Sequence, residues 1–102
     1  MKSFNERCYK LLQKVPRGKV TTYQELARTL GTKAYRAVGN AMHANPYAPK
    51  VPCHRVVKSD GRIGGFASGT KKKIEMLKKE GVEIIDSKVD LEKYFFGLNR
   101  LS

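Results

Sequence analysis

The chain has 102 residues, of which 40% are hydrophobic, so it is long enough for one folded domain with a single modest core. Its 21 lysines and arginines outnumber 9 aspartates and glutamates, and the resulting net charge of +12 favours a polyanionic partner, nucleic acid above all. Neither an apolar run of the ~20 residues that span a bilayer nor a signal-peptide core is present, so we expect no membrane association and a cytoplasmic (prokaryotic) or nuclear (eukaryotic) location.

The first predicted helix opens at Ser3, which forms a capping box with Glu6, and ends before residues 16–19. Cys8 falls on its apolar face, and intracellular thiols are normally reduced, so a disulfide with Cys53 is not expected. The chain has two cysteines and two histidines but no C-x-x-C pair, so we expect neither a metal site nor a cofactor. The positions expected to face the core are Phe4, Cys8, Leu11, Leu12 and Val15.

Two short helices come next, and they read as a helix-turn-helix. Thr22 and Glu25 form a second capping box, Gly31 ends that helix, and Thr32 is placed to cap the next one over residues 34–44. Gly39 in the interior of the second helix costs ~1 kcal/mol relative to alanine, so either another surface approaches it closely or helices pack tightly there. The expected inner face holds Ala34, Ala37, Val38 and Ala41, and the outer face holds Tyr35, Arg36, Gly39, Asn40 and His43.

Three prolines within residues 46–52 forbid a helix and stiffen the segment that delivers Cys53. Residues 54–57 are predicted to form a strand, Ser59-Asp60-Gly61 a turn, and residues 62–63 the return strand. The sequence therefore predicts a mainly α, winged helix-turn-helix-like domain with a short β-hairpin wing. The glycine-rich residues 64–69 lack the ending of a phosphate-binding P-loop, so nucleotide binding is not expected.

A further helix is predicted over residues 70–80, and Gly81 closes it. Lysines at positions 71–73 crowd its N-terminus and Glu80 occupies its C-terminus, although the helix dipole disfavours both placements. We expect the lysines to contact phosphates and Glu80 to pair with a cationic or hydrogen-bonding group. A last helix is predicted to open at Ser87, with Asp90 in its first turn and aromatic residues that pack.

The pair Cys53-His54 carries the candidate chemistry. A thiol is mostly protonated at neutral pH, so it needs a base to become a nucleophilic thiolate. His54 can serve as that base directly or through one water, and a carboxylate, for which Glu80 is the candidate, would orient the imidazole. The alternative is a buried structural cysteine, for which a proline-rich loop on a basic chain is an unusual place.

These residues resemble the C-terminal domain of O6-alkylguanine-DNA alkyltransferases, also called methylated-DNA–protein-cysteine methyltransferases. The resemblance runs from about Phe4 to Val82 and lies in residues 18–27, 36–39, 45–46 and 52–57. It implies that the protein transfers the alkyl group from O6-alkylguanine in duplex DNA irreversibly to its own Cys53, once per molecule, as a monomer and without a cofactor.

The resemblance also implies roles for individual residues. His54 would activate Cys53 through a water, Glu80 would hold His54, Asn45 would brace the preceding turn, and Tyr23 would donate a proton to the leaving base. The helix over residues 34–44 would enter the minor groove, and its arginine would replace the flipped nucleotide. The implied DNA contacts are Tyr23, Gln24, Arg36, Ala37, Gly39 and Ser59, and the implied guanine pocket is Met42, Val56, Phe66 and Ser68.

The sequence departs from the family pattern in two respects. Full-length relatives carry an N-terminal domain, whereas here residues 1–102 are interpreted as a single domain without it; Phe66 stands where relatives often have tyrosine. The short length resembles alkyltransferase-like proteins, which bind the lesion and recruit repair factors but lack the reactive cysteine that Cys53 supplies. Two alternatives therefore stay open: such a non-enzymatic lesion-binding protein, and a winged helix-turn-helix regulator with an incidental cysteine.

Overall fold

The computed structural model describes residues 3–65 and 69–98, and most of its regular structure is helical, as predicted. Among these described residues, no helix is long and apolar enough to cross a membrane. The helices are α1 (Phe4–Leu12), α2 (Tyr23–Thr29), α3 (Tyr35–His43), α4 (Thr70–Lys79) and α5 (Leu91–Tyr94), with a 3₁₀ turn at Cys53–Arg55. The strands are β1 (Thr21–Thr22), β2 (Val56–Val57), β3 (Ile84–Ile85) and β4 (Lys88–Val89).

Hydrogen bonds from side chains define where the first two helices begin. At α1 both bonds of the capping box form: Ser3 Oγ accepts from the Glu6 N–H at 3.2 Å, and Glu6 Oε1 accepts from the Ser3 N–H at 3.1 Å. At α2, Thr22 Oγ1 accepts from the Glu25 N–H at 3.0 Å. The Glu25 carboxylate also accepts from the Leu98 N–H at 2.7 Å, which ties α2 to the end of the described chain.

The start of α3 differs from the prediction. Thr32 Oγ1 accepts from the Ala34 N–H at 3.1 Å, but Ala34 itself is the N-cap residue and is exposed rather than on the inner face. The buried side of α3 is instead formed by Val38, Ala41 and Met42. Both predicted helices are present, and α3 packs on both α1 and α2 to form a three-helix cluster.

The hairpin predicted over residues 54–63 is wrong in its pairing. The turn forms, since the Lys58 N–H donates to the Arg62 carbonyl at 2.8 Å, but β2 pairs in parallel with β1. This pairing buries the valine side chains on both faces of β2, which a solvent-exposed wing would leave in water.

The antiparallel hairpin of the structure lies further along the chain, between β3 and β4. Asp86 and Ser87 form its two-residue turn with φ of 53° and 59°, the left-handed conformations that such tight hairpins need. Ser87 therefore does not open the last helix. That helix begins after Asp90, whose side chain accepts from the Glu92 N–H at 3.0 Å.

Strand β2 joins two hydrophobic clusters, and the candidate site lies where they meet. Val56 belongs to a cluster built mainly from α1, α2 and α3, whereas Val57 belongs to a second cluster with α4 and the β3–β4 hairpin. Adjacent residues of a strand point to opposite faces, so two residues suffice to connect the clusters. The 3₁₀ turn that carries Cys53 runs directly into this strand and is fixed by it.

Candidate active site

Backbone and amide hydrogen bonds fix the segment that presents Cys53. The Cys53 N–H donates to the Val51 carbonyl at 2.8 Å, and Asn45 Nδ2 donates to that same carbonyl oxygen at 2.8 Å. The other end of the Asn45 amide accepts from the Tyr47 N–H at 2.9 Å. Asn45 thus spans the proline-rich segment, which is the geometry expected of a bracing residue.

Both cysteines are free thiols, but they differ in their surroundings. Burial raises the pKa of Cys8 to about 11, so that thiol stays protonated inside the core. Cys53 is 5% exposed, which is more enclosed than a proline-rich loop predicts, because its side chain belongs to the first hydrophobic cluster. Across residues 3–65 and 69–98, no group of three His, Cys, Asp or Glu side chains is placed to hold a metal ion.

Behind Cys53, His54 and Arg55 converge on one carboxylate, that of Glu80. His54 Nε2 lies 2.8 Å from Glu80 Oε2, and Arg55 donates to both carboxylate oxygens at 2.9 and 2.8 Å. Arg55 also donates through Nη1 to the Val15 carbonyl at 2.8 Å, which anchors the network to the segment that follows α1. The misplaced acid at the end of α4 therefore pairs with hydrogen-bonding and cationic partners, as the sequence predicts.

The pKa shifts in this network favour a neutral imidazole beside an ionised carboxylate. Burial alone would raise the pKa of Glu80, but hydrogen bonds from Arg55 and His54 outweigh it, and the pKa is lowered. Burial lowers the pKa of His54, and the hydrogen bond and charge of Glu80 only partly oppose this. An ionised carboxylate can only accept, so Nε2 of His54 carries the proton and Nδ1 keeps a free lone pair. That lone pair can accept a proton, as a general base must.

Tyr23 and Lys73 meet at the backbone of the glycine-rich loop. Tyr23 Oη donates to the Gly65 carbonyl at 3.4 Å, and Lys73 Nζ donates to the same oxygen at 3.2 Å and to the Ile63 carbonyl at 2.6 Å. Burial raises the pKa of Tyr23, and a charge at Cys53 raises it further, so Tyr23 is a protonated phenol able to donate. The Lys73 ammonium lies 5.7 Å from the centre of the Tyr23 ring.

The sequence prediction for Lys73 is wrong. Its side chain is fully buried, whereas Lys71 and Lys72 are exposed, so Lys73 is not a surface contact for phosphates. Burial lowers the pKa of Lys73 from 10.5 to about 8. A signal for this was available: Lys73, Leu77 and Glu80 follow the i, i+4, i+7 spacing of one helix face, the face that turns inward. The contribution of Arg55 to the network was also missed, although it lies in the same five-residue motif as His54.

Three of the six residues predicted to contact DNA line one cleft, and the other three lie on α3. Tyr23, Gln24 and Ser59 line a cleft of about 410 Å³ between the start of α2 and the turn at residues 58–62. On α3, Arg36 is exposed and Ala37 is half-buried.

Gly39 on α3 is not explained by packing inside the protein. A Cβ built at this position would meet no atom within 4 Å, so no neighbouring helix requires its missing side chain. Of the two explanations that the sequence left open, close helix packing is thereby excluded for the described residues. The other explanation, the close approach of another surface to this face of α3, stays a prediction.

The predicted guanine pocket is only partly described. Met42 is 6% exposed and Val56 is fully buried, and both belong to the first hydrophobic cluster that also contains Cys53. Phe66 and Ser68 lie outside the described residues. The assignment of these four residues to a guanine pocket stays a prediction.

Comparison with known proteins identifies the family. The profile of the DNA-binding domain of 6-O-methylguanine DNA methyltransferase matches residues 3–82. The chain is 46% identical over 78 residues to a methylated-DNA–protein-cysteine methyltransferase of Methanosarcina barkeri, covering 76% of this chain and 49% of that protein. The chain therefore belongs to the O6-methylguanine DNA methyltransferase family and contains the family's DNA-binding domain. It spans about half or less of the length of the curated relatives that it matches.

Two solved structures share the fold at high similarity. The O6-methylguanine-DNA methyltransferase of Pyrococcus kodakaraensis strain KOD1 superposes with a TM-score of 0.73 and 49% identity, over 80% of this chain and 48% of that one. The S. pombe protein Atl1, in complex with damaged DNA containing O6-carboxymethylguanine, gives a TM-score of 0.83 and 34% identity, over 94% of this chain and 98% of that one.

Proposed function

We propose that the protein repairs O6-alkylguanine in duplex DNA by moving the alkyl group irreversibly onto Cys53. The observation that carries this proposal is the hydrogen-bonded network of Glu80, Arg55 and a neutral His54, the residue that directly follows the free thiol of Cys53 in the 3₁₀ turn. Structural cysteines do not need a base, whereas a nucleophilic thiol does. Membership of the methyltransferase family supports the same chemistry.

In the proposed reaction, His54 takes the thiol proton of Cys53, directly or through one water. The sulfur attacks the alkyl carbon, the new S–C bond forms, and the bond from carbon to O6 breaks. The electron pair of that bond stays on the guanine, whose ring takes the hydroxyl proton of Tyr23. The product thioether is not hydrolysed by water, so each molecule acts once. The nucleotide must leave the base stack to reach a thiol that is 5% exposed.

Intact mass measurement tests this proposal. After incubation with an O6-methylguanine duplex, we expect the protein to gain the mass of one methyl group, and Cys53→Ser to gain none. Cys8→Ser is the matched control, because it removes a thiol that burial keeps protonated, and it should be methylated like the unaltered protein. Methylation that persists in Cys53→Ser, or no methylation at all, would contradict the proposal.

The second candidate function is recognition of the lesion without transfer, followed by recruitment of repair factors. The observation in its favour is the similarity to the Atl1 complex with damaged DNA, of which this chain covers 98%. It predicts preferential binding to the alkylated duplex while the protein mass and the lesion stay unchanged. The same incubation therefore separates the two functions, with nuclease digestion of the DNA reporting the fate of the lesion.

We further propose that a single copy of the protein binds duplex DNA through α3 and the cleft beside α2, in a prokaryotic cytoplasm or a eukaryotic nucleus. Exposed Arg36 would fill the place of the extruded nucleotide, and Gln24 and Ser59 would contact the backbone. The structural neighbours determined with DNA support the nucleic-acid partner. Contacts of this kind hold phosphates without reading sequence.

Gly39→Ala tests the role of α3, because stability and binding should change in opposite directions. The new methyl group meets no atom of the protein within 4 Å, and alanine is favoured over glycine in a helix interior by ~1 kcal/mol, so the free energy of unfolding should rise. Binding to an O6-methylguanine duplex should weaken by about tenfold, because the added methyl group stands on the surface that approaches the DNA.

Chemical denaturation and fluorescence anisotropy provide the two measurements for Gly39→Ala. Gly81→Ala is not a suitable control because Gly81 has a φ of +91° and would be strained. Gln13→Ala, which places an alanine at an exposed position directly after α1 and leaves α3 unchanged, is used instead. Undiminished DNA affinity in a stabilised Gly39→Ala protein would remove α3 from the proposed interface.

A further inference from the structure

A second open cavity lies next to the network of His54, Arg55 and Glu80. Its volume is about 640 Å³, which is within the range of protein ligand sites. It shares no residue with the cleft that contains Tyr23, Gln24 and Ser59. The residues that line it are Arg17, Ala48, Pro49, His54, Arg55, Lys72, Met76, Lys79 and Glu80.

Cationic side chains lie at the edge of this second cavity, which we call the basic cavity. Arg17, Lys72 and Lys79 are exposed at its edge. Lys79 lies two turns beyond Lys72 on the same face of α4. Arg17 is held there by a hydrogen bond from Nη2 to the Lys79 carbonyl at 3.1 Å. The carboxylate of Glu80 is engaged by His54 and Arg55 and does not face these three cations as an ion-pair partner. The edge therefore offers positive charge to a ligand.

The walls of the basic cavity indicate which anion fits. Ala48, Pro49 and Met76 provide an apolar wall, and a thioether adapts to varied aliphatic groups. The described lining residues include no Phe, Tyr or Trp on which a nucleobase would stack, so a nucleotide is a poor match. A polypeptide with alternating acidic and aliphatic side chains matches both the charged edge and the apolar wall.

We propose that the basic cavity is a docking site for an acidic segment of a partner protein. Its carboxylates pair with Arg17, Lys72 and Lys79, and an aliphatic side chain packs on Met76. The bound segment then lies against His54 and Glu80 and uses none of the residues that line the cleft with Tyr23, Gln24 and Ser59, so the protein can hold DNA and partner together. This inference does not depend on alkyl transfer, because the binding it describes needs no reaction at Cys53.

The test uses a fluorescein-labelled peptide of alternating glutamate and leucine residues, with a glutamine–leucine peptide as its uncharged counterpart. We expect anisotropy to detect binding of the first peptide only. In the ¹⁵N-labelled protein, shifted amide signals should cluster at His54, Arg55, Met76 and Glu80. Equal binding of both peptides, or shifts concentrated on α3 instead, overturns the proposal.

The variant Lys72→Glu/Lys79→Glu should weaken peptide binding at least about tenfold, since like charges placed across an interface repel strongly. The matched control is Lys10→Glu/Lys14→Glu, which makes the same change of charge on exposed positions of α1 and the residues after it, and should change affinity less than about twofold. Equal losses in both variants would show a general effect of net charge and overturn the proposal.

Binding to a lesion-free duplex is measured with the same two variants. If Lys72→Glu/Lys79→Glu weakens DNA binding more than peptide binding, the basic cavity belongs to the DNA backbone and the proposal fails. If the protein binds the acidic peptide at this cavity but is not methylated by an O6-methylguanine duplex, this inference holds and the proposed repair function is contradicted. The two conclusions are therefore tested separately.

Discussion

Glu80→Gln is expected to slow methyl transfer to Cys53 by about 100-fold, within the range that general acid–base catalysis contributes. His54 Nε2 and Arg55 Nη2 both bond to Oε2, and Arg55 Nε donates to Oε1. The glutamine keeps one acceptor oxygen, and its NH₂ group cannot accept, so at least one of these bonds is lost and an N–H is placed against a donor. Because the charge and hydrogen bond of Glu80 raise the pKa of His54 against burial, removing the charge also weakens the base. Single-turnover kinetics with an O6-methylguanine duplex measure the effect.

The control for this substitution is Glu83→Gln, which makes the same change of charge at an exposed position three residues away. Its rate constant should equal that of the unaltered protein. The pH profile gives a second readout. Burial lowers the pKa of His54, so the base stays neutral down to pH values below its usual ~6.5, and the rate should fall only below that pH. A Glu80→Gln protein with an unchanged rate and profile would show that His54 is not the base.

Lys73→Met is expected to destabilise the protein by about 1–3 kcal/mol at neutral pH, because it leaves two carbonyl acceptors without their buried donor. These acceptors are the carbonyls of Ile63 and Gly65. Methionine fills a similar volume, so the loss reflects the hydrogen bonds more than packing. Lys72→Met, at an exposed neighbouring position, is the control and should change the free energy of unfolding by less than about 0.5 kcal/mol.

The pH dependence of stability provides a sharper test of Lys73. Its pKa is about 8 in the folded protein and 10.5 when unperturbed, so above pH 8 the unfolded chain binds the proton that the folded protein has released. The unaltered protein should therefore gain stability relative to Lys73→Met as the pH rises from about 7 to about 9.5, by roughly 2 kcal/mol. Urea denaturation at both pH values measures it. Parallel pH dependence in the two proteins would show that Lys73 is not buried as an ammonium.

Local rules account for what the sequence predicted correctly. The capping box of Ser3 and Glu6 and the positive φ of Gly81 at the end of α4 depend only on neighbouring residues, and both are present. The pairing of Glu80 with hydrogen-bonding and cationic groups was expected from its conflict with the helix dipole, and it is also present. The bracing role of Asn45, which the resemblance implies, stays a prediction.

Pairing between distant segments accounts for what was missed. The turn over residues 58–62 gives a local hairpin signal, but β2 gains more by pairing with β1, more than thirty residues earlier, and burying Val56 and Val57 in separate clusters. The burial of Lys73 depends in the same way on where carbonyls of the glycine-rich loop lie. The local sequence pattern alone predicts neither which strand another strand pairs with nor how deeply a lysine side chain is buried.

The junction of the two hydrophobic clusters has a consequence for how a lesion is selected. Cys53 precedes β2, whose two side chains are anchored in opposite clusters, and the Cys53 side chain itself packs in the first cluster, so the sulfur has little freedom to move toward a substrate. In the proposed reaction, the flipped nucleotide must then make most of the movement that brings the alkyl carbon to the sulfur. We therefore expect discrimination between damaged and normal guanine to begin with how readily the base pair of each guanine opens. That ease of opening is a property of the DNA and not of the thiol.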